Sequence, residues 1–192
     1  GDGSRDSLEK EVVRTHMEIA VFGGGCFWCT EAVFRMLRGV VSVTPGYAGG
    51  STSSPTYVQV SSGNSGHAEV VRVEFDPAIV SYDDLLTVFF ATHDPTTRNR
   101  QGNDVGTEYR SVILTTTPEQ AERARTFIAE LGKEGGKPIV TEVQPLDVFT
   151  PAEPEHLRYY ERNTDQPYCQ LIIEPKVRKM QEKFRELLKR QK

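Results

Sequence analysis

The sequence is short of several things, and each shortage excludes a class of protein. Cysteine is scarce: three in 192 residues, at positions 26, 29 and 169, too few for a disulfide-stapled scaffold. An odd count with one close pair reads instead as reactive thiols in a reducing compartment, so a cytoplasmic location is expected. Long apolar runs are missing. None approaches the roughly 20 residues that span a bilayer, so no membrane role is expected. A basic excess is missing too: 23 Lys and Arg stand against 27 Asp and Glu, a net charge of -4. With a pI near 5.7, no general positive field invites nucleic acid. The first ten residues are polar and carry no apolar core of a secretory signal.

What is present suffices for a packed core, since 37% of the residues are hydrophobic. The length suits one catalytic domain over residues 1–192, with 1–14 as a flexible, solvated lead-in. A short apolar run from His16 to Phe22 ends at three glycines, which predicts a buried strand and a tight turn. Helical spacing of Ala32, Val33, Met36 and Leu37 predicts a helix over Cys26–Leu37, stopped at Gly39. Val40–Val43 reads as a strand, and residues 44–66, rich in Gly, Ser, Thr and Pro, as a long functional loop. Alternation predicts a strand over Ala68–Phe75. Ser81 with Asp84 three residues on predicts a capped helix to Thr92.

Residues 93–109 read as a second polar loop, Ser111–Thr115 as a strand, and Thr117-Pro118 as the start of a helix to about Gly132. Beyond it, Ile139–Val143 reads as a strand, Pro154–Arg162 as a helix, Cys169–Ile173 as a strand or extended segment, and Lys176–Lys192 as a charged helix. The interleaving gives an α+β class, with a split βαβ (ferredoxin-like) mixed-sheet core, flanking helices and long functional loops.

The chemistry starts at Gly23-Gly24-Gly25-Cys26-Phe27-Trp28-Cys29. Glycines let the backbone turn sharply and approach a ligand closely. A cysteine opening a helix lies near unpaired N–H groups and the positive end of the dipole, both of which favour the nucleophilic thiolate. Cys29, three residues on, lies on nearly the same helical face and is within reach of a disulfide if the first turn adjusts. Three other readings stay open at this level. Cys26 beside two aromatics is also what a small core residue looks like. A Cys-x-x-Cys pair is also half a zinc site, which would need two ligands from Cys169, His16, His67, His93 and His156, none of them a second close pair. The pair also suits thiol–disulfide exchange.

The run Gly25-Cys26-Phe27-Trp28 followed by Glu31, then Gly46-Tyr47-Ala48-Gly49-Gly50, then Gly66-His67-Ala68-Glu69, strongly resembles the A-type peptide methionine sulfoxide reductases. Asp94-Pro95 and the run Arg100 to Ser111, which contains Asp104 and Tyr109, complete the pattern in the same order and spacing. The resemblance extends over about residues 16–185. It implies Cys26 as nucleophile, Glu69 as acid, Tyr47 and Tyr109 as hydrogen-bond donors, and Phe27 and Trp28 as the wall of an S-methyl pocket. Asp104 would anchor its loop or bind substrate through water.

The implied reaction is reduction of the S epimer of methionine sulfoxide, in proteins and as the free amino acid. It leaves a sulfenic acid on Cys26 that a second thiol converts to a disulfide. An external dithiol, thioredoxin, would reduce that disulfide. No cofactor, no metal and a monomeric chain are expected. Some relatives carry glycine where this chain has Cys29, and the tail from Leu187 holds no cysteine pair. Cys29 is therefore expected to resolve the sulfenic acid, and Cys169, before an apolar run, to be a buried bystander. Without the resemblance, Glu69 at a strand start would read as a solvated acid, and Tyr47 and Tyr109 as half-buried aromatics.

Overall fold

A computed structural model of the chain describes residues 16–51 and 53–190, so the expected lead-in at 1–14 lies outside the described residues. Strand β1 (Glu18–Gly24) runs into the glycine turn, and helix α1 (Phe27–Phe34) leaves it. Strand β2 (Val40–Ala48) and strand β3 (Ala68–Phe75) follow, separated by the short helix α2 (Tyr57–Ser61). Helix α3 (Tyr82–Ala91) opens on the expected cap: the Ser81 hydroxyl accepts from the Asp84 N–H, and the Asp84 carboxylate from the Ser81 N–H. Strands β4 (Arg100–Gln101) and β5 (Asp104–Val105) form a small hairpin. Then come β6 (Ser111–Thr115), α4 (Pro118–Gly132), β7 (Glu142–Pro145) and β8 (Phe149–Pro151). Helix α5 (Tyr159–Arg162), a π-helical turn over Cys169–Ile173 and helix α6 (Glu174–Lys183) complete the described elements.

Six strands make one mixed sheet in the order β7-β6-β1-β3-β2-β8. All neighbours are antiparallel except β6 and β7, which are joined through α4. Because side chains alternate along a strand, each central strand feeds both faces. Ala20 and Phe22 of β1, Val71, Val73 and Phe75 of β3, and Ile113 of β6 join the large core with α1 and α3. Val21, Ala68, Val70, Val112 and Leu114 build a smaller cluster on the opposite face. Near-continuous apolar strands are what a sheet covered on both faces requires.

Several segments differ from the pattern reading. The 44–66 loop contains α2, and residues 93–109 contain the β4–β5 hairpin. β7 is Glu142–Pro145 rather than Ile139–Val143, Pro154–Arg162 is a 3-10 turn followed by α5, and the C-terminal helix α6 ends at Lys183. β2 does not stop at Val43 but continues through Pro45 to Ala48. Over Val40–Thr44 it pairs only with β3; on the other side β8 joins at Gly46, and the Ala152 N–H just after β8 donates to the Pro45 carbonyl. A proline on such an outer stretch removes no essential ladder bond. Residues Cys169–Ile173 are helical rather than extended. Cys169 and Ile173 are the buried members and Leu171 and Ile172 point outward, an i, i+4 burial pattern that a short apolar run does not distinguish from a strand. This turn and α6 cover the outer side of α1, where Cys29 and Ala32 pack on Cys169 and Ile173. Helix α1 is thereby buried almost all round, and its N-terminus opens into an enclosed recess.

Candidate active site

The glycine turn does what its composition requires. Gly25 has φ +98, and a Cβ there would lie 2.8 Å from Cγ of the Gln101 side chain. Only glycine combines that backbone with that approach. Cys26 follows as the N-cap of α1 in extended geometry, with no side-chain capping bond of its own. The capping group comes from β3 instead: the Phe27 N–H donates to Oε1 of Glu69 at 3.1 Å. A strand-borne carboxyl therefore sits at the helix start that presents the thiol.

Glu69 is 1% exposed. Burial pushes its carboxyl up to about 8, against the lowering effect of the Phe27 N–H, with Glu108 and Asp104 adding to the rise. At pH 7 this leaves roughly ten neutral carboxyls for each ionised one. Cys26 departs from the helix-dipole expectation. Its thiol is raised well above the usual range by burial first, then by Glu69 and Cys29, while the Trp28 N–H and the Tyr168 hydroxyl only partly oppose this. Desolvation of the anion outweighs the helix N-terminus. The resting pair is therefore a neutral thiol beside a neutral acid.

Aromatic rings enclose this pair. Phe27 lies against Tyr47 and His156, with ring centroids 5.7 and 5.3 Å apart. Trp28 stacks on Tyr159 at 3.7 Å and meets Tyr168 edge-on. Its indole N–H donates to Nδ1 of His156 at 3.1 Å, and burial lowers the His156 imidazole, which suits a neutral acceptor. Tyr47 is fully buried, and its hydroxyl donates to Glu153 Oε1 at 2.9 Å. The other Glu153 oxygen accepts from the Tyr57 N–H. Tyr109 is half-buried, and its phenol is raised by burial and then by Glu69 and Cys26, which places it in their company.

The second cysteine meets the C-terminal segment. Cys29 is buried, and its sulfur is 3.8 Å from the Tyr168 hydroxyl, which donates to Asp104 Oδ2 at 2.8 Å. Asp104 thus ties the β4–β5 hairpin to the C-terminal segment. Gln101 of the same hairpin accepts from the Asp94 N–H and donates to the Asp94 carbonyl, tying the hairpin to the turn after α3. A cavity of about 740 Å³ opens here, lined by Cys26, Cys29, Asp104, Tyr168 and Lys176. Among the described residues, no group of three metal-ligating side chains includes Cys26 or Cys29. The one such group is Glu153, Glu155 and His156, two of which already serve Tyr47 and Trp28. The half-zinc-site reading therefore has no ligand set around the cysteine pair.

All eight residues singled out in the sequence converge on one region. Phe27, Tyr47 and Tyr109 gather with Glu69 near Cys26, Cys29 and Asp104 meet at Tyr168, and Trp28 reaches Tyr168 edge-on. Sequence reasoning missed Tyr168, His156, Glu153, Tyr57 and Tyr159. The available signals were the Gln166-Pro-Tyr-Cys169 and Glu153-Pro-Glu-His156 runs, but their partners lie far away in the chain and leave no local periodicity. His67 accepts from the Gly50 N–H, joining the Gly49-Gly50 turn to the start of β3, as a hydrogen-bonding residue does.

A thiol at a helix start, a neutral buried carboxyl bound to the same helix start and a surround of aromatic rings are an arrangement equipped for nucleophilic chemistry with an acid at hand. The family model for peptide methionine sulfoxide reductase matches residues 18–188. A peptide methionine sulfoxide reductase MsrA of Saccharolobus solfataricus is 51% identical over 173 residues, covering 90% of this chain and 98% of that one. One from Acinetobacter baumannii is 56% identical over 173 residues, covering 90% and 99%. The solved methionine sulfoxide reductase A of Corynebacterium diphtheriae superposes with a TM-score of 0.72 at 39% identity, over 78% of this chain and 76% of that one. Mxr1 of Saccharomyces cerevisiae in reduced form gives 0.75 at 30%, over 81% and 90%. The chain belongs to the peptide methionine sulfoxide reductase family, A type, oxidoreductases that return methionine sulfoxide to methionine.

Proposed function

We propose that Cys26 is the nucleophile and Glu69 the acid of this reductase, acting on the S epimer at sulfur in oxidised proteins and in free methionine sulfoxide. The observation that carries the reading is the Glu69 carboxyl, neutral near pH 7 and fixed by the Phe27 N–H beside the thiol. A sulfoxide sulfur is a poor electrophile until its oxygen is protonated. Glu69 gives its proton to that oxygen, the Cys26 thiol proton passes to the Glu69 carboxylate as the Cys26 sulfur attacks, the substrate S–O bond breaks, and the hydroxyl ends on Cys26. Thiol and sulfoxide become sulfenic acid and thioether, with no atom left over. Tyr109 lies where a donor to that oxygen is useful. Tyr47 joins it only by releasing Glu153. Phe27 and Trp28 enclose the S-methyl group, and Asp104 anchors the hairpin through Tyr168.

The sulfenic acid is resolved by Cys29, and a Cys26–Cys29 disulfide returns to the dithiol through thioredoxin. Cys169 is a bystander, fully buried and packed with Ile173. No cofactor beyond the external dithiol enters this chemistry. Three free thiols suit a reducing compartment, the cytoplasm. No helix among the described residues is long and apolar enough to cross a membrane. The chain acts as one catalytic domain and as a monomer. The strand order β6-β1-β3-β2, with helices after β1 and β3, supports reading the core as a split βαβ, ferredoxin-like arrangement.

Glu69→Gln under dithiothreitol tests the assignment. Loss of methionine formation is the expected result. An enzyme that merely exchanges disulfides would keep its rate, and that outcome would overturn the role of Glu69.

A further inference from the structure

Lys176 stands in the first turn of α6, half-buried. It lines the cavity that also holds Cys26, Cys29 and Tyr168. It shares a second, very small pocket with Cys29, Thr30 and His93. Among the described residues it makes no ion pair. A cationic side chain on the wall of the cavity that holds two cysteines calls for a use.

The Tyr168 hydroxyl lies 3.8 Å from the Cys29 sulfur, but its one hydrogen also serves Asp104 at 2.8 Å, so it is a divided donor to a thiolate there. The cation that lines the same two spaces as Cys29 is Lys176. We infer that Lys176 is a positioning residue of the resolving step: its ammonium, on the wall of the cavity that Cys29 also lines, keeps that thiol available as the anion that attacks Cys26 and as the anion that leaves it. The inference rests on Cys29 being the resolving thiol. The electrostatics agree with the geometry. Burial raises the Cys29 thiol, and Lys176 is the largest influence in the opposite direction.

The step balances without a further reactant. Cys29 gives up its proton, and its sulfur lone pair attacks Sγ of the Cys26 sulfenic acid. The S–S bond forms, the S–O bond breaks, and the departing hydroxide takes a proton to leave as water. In the return step a thiolate of the external dithiol attacks Cys26, and Cys29 leaves as thiolate, again opposite Lys176.

The titratable and charged groups facing Cys29 are Cys26, Lys176, Tyr168, Asp104 and Glu69, with His93 on the α3 side and Cys169, Tyr159 and Tyr160 in its apolar cluster. Of these only Lys176 is a cation near neutrality, since burial lowers His93 to about 4.

The test uses Lys176→Met, which removes the charge and keeps an apolar stem, and Lys176→Arg, which restores the charge. Each protein receives one equivalent of the S sulfoxide without reductant. Methionine, remaining thiols and the mapped bridge are followed after rapid quenching. Methionine formation, the internal reference, should stay within about twofold. Removing the charge raises the Cys29 thiol, and each tenfold loss of its thiolate at pH 7 slows attack in proportion. A more basic thiol regains part of this through greater nucleophilicity, so disulfide formation in Lys176→Met should slow about threefold to fourfold. The deficit should close as pH rises past the Cys29 midpoint, and Lys176→Arg should run near the wild-type rate. A Cys26–Cys29 bridge formed by Lys176→Met at the wild-type rate, or slowed equally at every pH and not restored by arginine, would overturn the inference. A wild-type bridge to Cys169, or none, would overturn Cys29 as resolver and the inference with it.

Discussion

Replacing Glu69 by glutamine separates the acid role proposed for this residue from its effect on the Cys26 thiol. The amide keeps an oxygen for the Phe27 N–H, now 3.1 Å from the carboxylate, so the helix start should survive. The proton donor is lost. General acids contribute about 10²- to 10⁴-fold, and single-turnover methionine formation should fall by that order. The second effect has the opposite sense. Glu69 is, after burial, the largest influence holding the Cys26 thiol up, and it bears its charge above pH 8, where that thiol titrates. Glutamine carries no charge, so the Cys26 midpoint should move down. Iodoacetamide alkylation of Cys26 followed by mass spectrometry against pH reads that midpoint. A more reactive thiol in a less active enzyme is the expected combination. Methionine formation within threefold of wild type, or an alkylation midpoint that stays or rises, would refute the reasoning.

The raised Glu69 carboxyl also makes stability depend on pH. An acid whose folded midpoint lies near 8 takes up a proton on folding between about pH 4.5 and 8, so stability falls as pH rises through that window. Lifting the midpoint from 4.5 to about 8 corresponds to of order 5 kcal/mol at full ionisation, so Glu69→Gln should outlast wild type in urea at pH 9 and match it at pH 4; parity at pH 9 would contradict the burial account. His156→Ala leaves the Trp28 N–H without its acceptor, which costs about 1–3 kcal/mol, and by loosening the S-methyl wall should raise KM more than it lowers kcat; an unchanged KM would remove His156 from the site. Cys29→Ser should release one methionine per chain and then stall with thioredoxin, whereas full thioredoxin-driven cycling in that variant would count against Cys29 as resolver.

The sequence displayed what is local. The strand, glycine turn and helix around Cys26 are readable because apolar spacing changes period there, and the Ser81–Asp84 cap because its geometry needs only neighbours. Pro45 misled because whether a proline breaks a strand depends on which side of it is paired, and that is a property of the sheet. Cys169–Ile173 misled because five apolar residues fit either period. Helix-dipole logic at Cys26 failed for a related reason. How deeply a thiol is buried is set by the C-terminal segment packing over α1, from about 130 residues away. The same distance hid Tyr168, His156 and Glu153, whose partners lie across the fold. Glu69, Tyr47 and Tyr109 were recognised through the family pattern, since a strand acid and two tyrosines look ordinary by themselves.

The central claim is that a Cys26 thiol beside a neutral Glu69 carboxyl takes oxygen from one sulfoxide epimer and passes the oxidation to Cys29. Separated S and R methionine sulfoxide peptides, each given to fully reduced protein without reductant, test it in a single turnover read by methionine yield and peptide mapping. One methionine per chain from the S peptide, none from the R peptide, and a Cys26–Cys29 bridge is the predicted result. Equal yields from both epimers, or methionine formed with Cys26 still a free thiol, would contradict it.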